Sequence, residues 1–166
     1  VKRGMRTSVK EVLNRVEAAE GISVAGWVRT RRDSKDFSFL EVNDGSCLAG
    51  LQVIADAGVK GYEDIQMMST GSAIRVEGNL VASPGEGQSW ELQATALVLL
   101  GGAPEDYPLQ KKRHGPEFLR EIAHLRPRTN LFGAVFRTRS RLALAVHHFL
   151  RAHNLTTKDG ANALLS

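Results

Sequence analysis

The sequence predicts a mainly β fold with flanking helices: a five-stranded barrel with one helix between its third and fourth strands, then a linker and a C-terminal helix. Three observations predict it. Between Ile22 and Leu99, five stretches alternate apolar and polar residues with the period of a half-buried strand. Clusters of turn residues separate them, including Asn43-Asp44-Gly45-Ser46 and the run SPGEGQ that begins at Ser83. The segment GYEDIQMM, Gly61 to Met68, does not alternate and reads as a short helix closed by Ser69-Thr70-Gly71.

Ahead of the strands, Val9, Val12, Leu13 and Val16 recur at helical spacing. Ser8 stands at the N-cap with Glu11 three residues on, the pattern of a capping box, so a short amphipathic helix is expected to end before Gly21. In the first strand Ile22, Val24, Gly26 and Val28 point one way, and Trp27, Arg29 and Arg31 the other. In the second, Ser38, Leu40 and Val42 share a face opposite Phe37, Phe39 and Glu41. Leu51 and Val53 return to the core in the third, with Gln52 projecting outward. The fourth runs from Ala73 to Val81, with Ile74, Val76, Gly78 and Leu80 inward; a glycine at an inward position suits a bulge or a tight barrel corner. The fifth runs from Trp90 to Leu99, with Leu92, Ala94, Ala96 and Val98 inward and Glu91, Gln93 and Thr95 outward.

Five short strands with a helix between the third and fourth describe an OB-fold, an architecture that binds oligonucleotides on the face of strands two and three. Fold alone does not give function, so the outer face must carry the argument. Residues 6–102 form this domain, 103–130 a polar, proline-punctuated linker with one short helix near Pro116–His124, and 131–166 a long helix with a tail. Along that helix Val135, Leu142, Val146, Phe149 and Leu150 form an apolar stripe, with Arg137, Arg139 and Arg141 on other faces.

Composition narrows the function classes. Cys47 is the single cysteine, which excludes an internal disulfide and a cysteine zinc pattern and points to a reducing, cytoplasmic compartment. No apolar run is long enough to cross a membrane, and no signal peptide is expected. Residues 1–5, VKRGM, read as a leader without structural consequence, with Met5 as a natural start. A net charge of +4 permits an anionic partner without requiring one. His147 and His148 are adjacent and face different directions on a helix, and His114 and His124 have no ligand partner at useful spacing, so no metal site is expected. No nucleophile–base pair emerges.

The outer face of strands one to three carries aromatic, guanidinium and amide groups, a set suited to splayed-out single-stranded nucleic acid. On spacing alone, Phe39 fits a base-stacking platform and an aromatic packed on a neighbouring loop equally well. Arg29, Arg31, Arg32 and Lys35 form a basic run beside it, suited to phosphate positioning or to a solvated strand end. Lys111-Lys112-Arg113 in the linker is as consistent with solvent as with RNA.

Four stretches carry a resemblance: GWVRTRRDSKDFSFLEVNDGS, LQVIADAG, GQSWELQAT and, most specifically, YPLQKKRHGPEFLREIAHLRPRTN. Together they resemble the asparaginyl-tRNA synthetases of the bacterial type, from about Met5 to Asn154. The resemblance implies an N-terminal anticodon-binding OB domain, a hinge, and the start of a class II catalytic domain whose first motif helix builds a dimer interface. It implies that Phe39 stacks an anticodon base, that Gln52 reads the middle uracil through its amide, and that Glu91 meets the third anticodon position. A carboxylate there must accept hydrogen bonds from base donors, or it repels phosphate. In the parent family, ATP and Mg²⁺ serve the activation of asparagine and the enzyme is a homodimer. Here the closing stretch NLTTKDGANALLS departs from the family, and its second and third motifs are absent. The chain alone is therefore expected to bind the anticodon loop of asparagine tRNA without catalysis or a cofactor of its own, and family dimerisation is not expected to carry over. The rival readings are a general single-strand-binding OB domain, indifferent to anticodon sequence, and a non-catalytic paralogue acting through protein interaction.

Overall fold

The computed structural model describes residues 6–85 and 87–153; the leader and the divergent tail lie outside the described residues. The chain divides into two compact units, one ending at Ile122 and the other starting at Ala123. The linker expected at 103–130 is thus shared between them. Its first part is tied to the barrel: Ala103 N–H donates to Ser72 Oγ at 3.2 Å, and the Tyr107 ring lies against Gly71.

In the first unit, β1 (Ala19–Asp33), β2 (Phe37–Asn43), β3 (Leu51–Asp56), β4 (Ala73–Ala82) and β5 (Trp90–Gly101) close into a barrel in the order β1-β2-β3-β5-β4. β4 returns to pair with β1, and β3 pairs with β5 in parallel. This is the OB-fold that the alternation predicts. Leu40, Val42, Leu51, Val53, Ile74 and Val76 are fully buried inside it. Burying each such side chain contributes roughly 1.5–3 kcal/mol.

The first helix, α1, is shorter than expected, Val9–Leu13. Its capping box forms: Ser8 Oγ accepts from Glu11 N–H, and Ser8 N–H donates to the Glu11 carboxylate at 2.8 Å. The Ser8 hydrogen bonds hold the Glu11 carboxyl below its ordinary pKa. Val9 and Val12 join the barrel core, whereas Val16 is 89% exposed. The helix stops because the chain must turn to enter β1, which already runs through Gly21. That glycine has φ +64°, where the register against β4 shifts between Ala19 and Ile22.

Two further bulges change which residues face inward. In β1 the register against β2 slips between Val28 and Thr30, so that Val28 lies opposite Val42 but Thr30 lies opposite Glu41. Arg29 is the extra residue, and every side chain beyond it changes phase. Arg31 therefore stands on the Leu40 side, contrary to the uninterrupted alternation. Between β4 and β5 a slip at Glu77/Gly78 makes Thr95 the extra residue. Leu97 is consequently buried and Val98 exposed, the reverse of the expected phase. Gly78 sits where a Cβ would overlap the Gln93 carbonyl, so the corner requires glycine.

Between β3 and β4 the expected helix is a 3-10 helix, Tyr62–Met67. Lys60 docks its start onto β5, its carbonyl accepting from Leu97 N–H at 2.7 Å, and Ile65 and Met68 are buried. After the barrel, α2 spans Pro116–Glu121. The second unit contains a 3-10 turn, Arg126–Arg128, and the long helix α3, Asn130–Ala152, capped by Thr129. The Arg126 guanidinium lies 5.1 and 5.6 Å from the Phe132 and Phe136 ring centroids. Along α3, Val135, Leu142, Val146 and Phe149 of the expected stripe are exposed.

Candidate nucleic-acid interface

Paired residues in a ladder share a face, so the register defines the outer surface of β1, β2, β3 and β5. One row crosses it as Thr30, Glu41, Gln52 and Glu91, each paired with the next. A second row, two residues along each strand, runs Arg32, Phe39, Ile54 and Gln93. Phe39 thus lies between a guanidinium and an aliphatic side chain, and it is half-buried. Its neighbour on the same face, Phe37, is more exposed, at 44%, and stands opposite Asp56.

Gln52 lies between two carboxylates. On one side Glu41 accepts from Thr30 Oγ1 at 3.4 Å. On the other, Glu91 accepts from Ser83 Oγ at 3.2 Å. Glu91 was expected on a wet strand face; it is 5% exposed, and Ser83, which itself accepts from Gln88 of the β4–β5 loop, donates to it. A row of amide and carboxylate groups accepts from base N–H donors and repels phosphate.

The cations occupy the rim. Arg32 is exposed beside Phe39, and Lys35 is exposed in the β1–β2 turn, which Ser34 N–H closes onto the Phe37 carbonyl at 2.7 Å. Arg29, at the bulge, reaches toward the Leu48 carbonyl in the β2–β3 connection. Arg31 is removed from this surface. Its guanidinium donates to the Ile65 and Gln66 carbonyls at 2.7 and 2.9 Å and pairs with Asp33 at 3.3 Å. It fastens the 3-10 helix to the barrel, from the face of β1 opposite to the one that uninterrupted alternation gives it.

The tip of the β2–β3 connection is also committed. Asp44 accepts from Ser46 Oγ at 2.6 Å and from Val9 N–H at 3.1 Å, and Ser46 Oγ accepts from Lys10 N–H at 3.0 Å. The turn therefore caps α1 as well as reversing the chain. Burial pushes the Asp44 carboxyl upward, but the hydrogen bonds from Ser46 and Val9 and the nearby Arg6 outweigh it and leave its pKa below the usual aspartate value.

Sequence reasoning sets Glu41 on the face of Phe37 and Phe39 without placing it beside Gln52, and it does not find Thr30 or Ser83 as members of this surface. The register sets Glu41 beside Gln52. Ser83 reads only as a loop residue.

A family model described as a tRNA anti-codon type OB-fold nucleic acid binding domain matches residues 22–100. Among curated proteins, the asparagine–tRNA ligase of Nitratidesulfovibrio vulgaris is 56% identical over 147 residues, which cover 88% of this chain and 32% of that protein. The asparagine–tRNA ligase of Microcystis aeruginosa is 54% identical over 148 residues, 89% of this chain and 33% of the relative. The chain thus spans about a third of the length of the curated relatives it matches. Among solved structures, asparaginyl-tRNA synthetase from Pyrococcus horikoshii complexed with asparaginyl-adenylate superposes with a TM-score of 0.75 at 22% identity, covering 90% of this chain and 35% of that one. That likeness is one of fold.

Proposed function

This chain belongs to the asparagine–tRNA ligase family, and we propose that its barrel binds the anticodon loop of an asparagine tRNA on the outer face of β1, β2, β3 and β5. The observation that carries the reading is the register. It sets Phe39 beside Arg32 and sets Gln52 between two carboxylates, which supports a stacking platform next to a base-reading row with cations at its rim. Phe39 stacks a base. Gln52 offers a donor and an acceptor to the uracil edge of the middle base, and Glu91 accepts from the third base. Arg29, Arg32 and Lys35 take the phosphates, while Arg31 serves the fold.

For the full-length protein the reading extends to ATP- and Mg²⁺-dependent charging of tRNA with asparagine by a homodimer in the cytoplasm. These 166 residues take the RNA-binding part and do not catalyse on their own. Among the described residues no group of three or more His, Cys, Asp or Glu could hold a metal ion. No helix among the described residues is long and apolar enough to cross a membrane.

The test is a titration of the chain with an asparagine anticodon stem-loop and with a loop of unrelated sequence at one salt concentration. Tighter binding of the asparagine loop is expected. Equal affinity replaces this reading with general single-strand binding, and no binding replaces it with a role through protein interaction. Asparagine-dependent ATP–pyrophosphate exchange is expected to stay at background.

A further inference from the structure

Ser83 stands at the base of the β4–β5 loop, where its N–H donates to the Ser89 carbonyl at 3.0 Å. Its hydroxyl meets three groups: Gly85 N–H at 3.2 Å, Gln88 Nε2 at 2.9 Å and Glu91 Oε2 at 3.2 Å. A hydroxyl has one proton and two lone pairs. The backbone N–H of Gly85 only donates, so it takes one lone pair. The Glu91 carboxylate only accepts, so it takes the proton. The remaining lone pair is left for a donor, which is why Gln88 presents its NH₂. These three contacts use the hydroxyl completely and give the chain of bonds one direction, from Gln88 through Ser83 to Glu91.

We propose that Ser83 is a positioning residue for recognition of the third anticodon base: its committed proton pins Oε2 of Glu91 and aims Oε1 at the base. The inference rests on the reading of Glu91 as a base acceptor. It adds that the β4–β5 loop, which contributes no base contact through Ser83, sets how sharply that acceptor discriminates. The terminal carboxylate torsion of a glutamate is broad when nothing holds it. A swinging acceptor meets the single N3–H of uracil and the exocyclic amine of cytosine with similar ease. A pinned one presents a single oxygen in one place, and placement is what separates the two edges.

The experiment uses the whole chain and three anticodon stem-loops: two share the middle uracil and differ in the third base, uracil or cytosine, and the third carries a central cytosine. Affinities are measured for wild type, Ser83→Ala, Ser83→Thr and Glu91→Gln, with thermal unfolding as the folding control. Ser83→Ala is expected to weaken the preferred loop by about tenfold, the scale of losing one hydrogen bond to a charged group. It is also expected to bring the ratio of the two affinities toward one. The ratio for a middle-base change should stay at the wild-type value, which a general disturbance of the loop would not allow. Ser83→Thr keeps the hydroxyl and should keep the third-base ratio. If Glu91→Gln collapses that ratio and Ser83→Ala preserves it, the positioning role is overturned while Glu91 remains a reader. If Ser83→Thr behaves as Ser83→Ala, the hydroxyl is not the cause and the proposal is again overturned. If Glu91→Gln leaves the ratio unchanged, the reading of Glu91 itself fails and this inference falls with it.

Discussion

Arg31 stands directly across the β1–β2 ladder from the fully buried Leu40, while the next residue, Arg32, stands across from Phe39. One extra residue at the Arg29 bulge produces this split. It gives two adjacent arginines different work, one inside the architecture and one on the surface proposed for RNA.

Their substitutions should therefore separate. Arg31→Ala is expected to cost about 1–3 kcal/mol of stability, because it removes donors from the Ile65 and Gln66 carbonyls. Arg32→Ala should leave the melting transition nearly unchanged, weaken stem-loop binding, and reduce the salt slope by about 0.7, the counterion release of one phosphate contact on a single strand. Chemical denaturation and a salt titration of both variants check this. An Arg31→Ala chain of wild-type stability, or an Arg32→Ala chain with the full salt slope, contradicts the split.

Phe39 and Gln52 should also differ in kind. Phe39→Ala is expected to cost roughly 1–3 kcal/mol of binding whether the loop carries a central uracil or cytosine, since every base has a π-face. Gln52→Ala should cost the uracil loop more and narrow the difference between the two. Both side chains lie on the outer face, so circular dichroism should show an intact fold. Equal losses on both loops for Gln52→Ala would remove it as a base reader.

The Asp44 carboxylate predicts an acid dependence. Its folded pKa lies below the ordinary value, so between the two the unfolded chain binds more protons. Its contribution is complete above the unfolded value, about 3.9, and is lost as pH falls through the folded one. Asp44→Asn should thus be less stable than wild type at neutral pH and lose less on acidification below about pH 4. Denaturant midpoints measured across that range decide the matter; parallel curves for the two proteins would exclude Asp44 as the source.

Gly78 predicts a backbone effect with no part in binding chemistry. A Cβ there would overlap the Gln93 carbonyl on the facing strand. Gly78→Ala should cost about 1–3 kcal/mol by overpacking the corner, and the folded fraction should bind RNA as wild type does. A variant with an unshifted unfolding midpoint would show that the corner opens without strain.

Much of the fold is legible in the sequence because the deciding forces are local. Leu40, Val42, Leu51 and Val53 alternate within single strands, and Ser8 and Glu11 satisfy the orphan N–H groups of α1 within one helical turn. The resemblance reaches Phe39, Gln52 and Glu91 through the stretches around them. The partner row is another matter: that Glu41 flanks Gln52 depends on pairing between strands that share no sequence signal for their register.

Which residues can be buried, and where strands and turns fall, follows from the local pattern of the chain. The tertiary structure alone decided the phase of each strand beyond its bulge, and with it the inward place of Arg31 and the exposure of Val98. The reason is geometric. Closing five twisted strands into a ring requires extra residues at sharp bends, and an extra residue reverses every face beyond it. Arg29 and Thr95 look like any strand residue in the sequence, so the reversal has no local mark. The hydrogen bond from Ser83 to Glu91 likewise forms only once β4 and β5 are paired, which brings the two ends of their loop together.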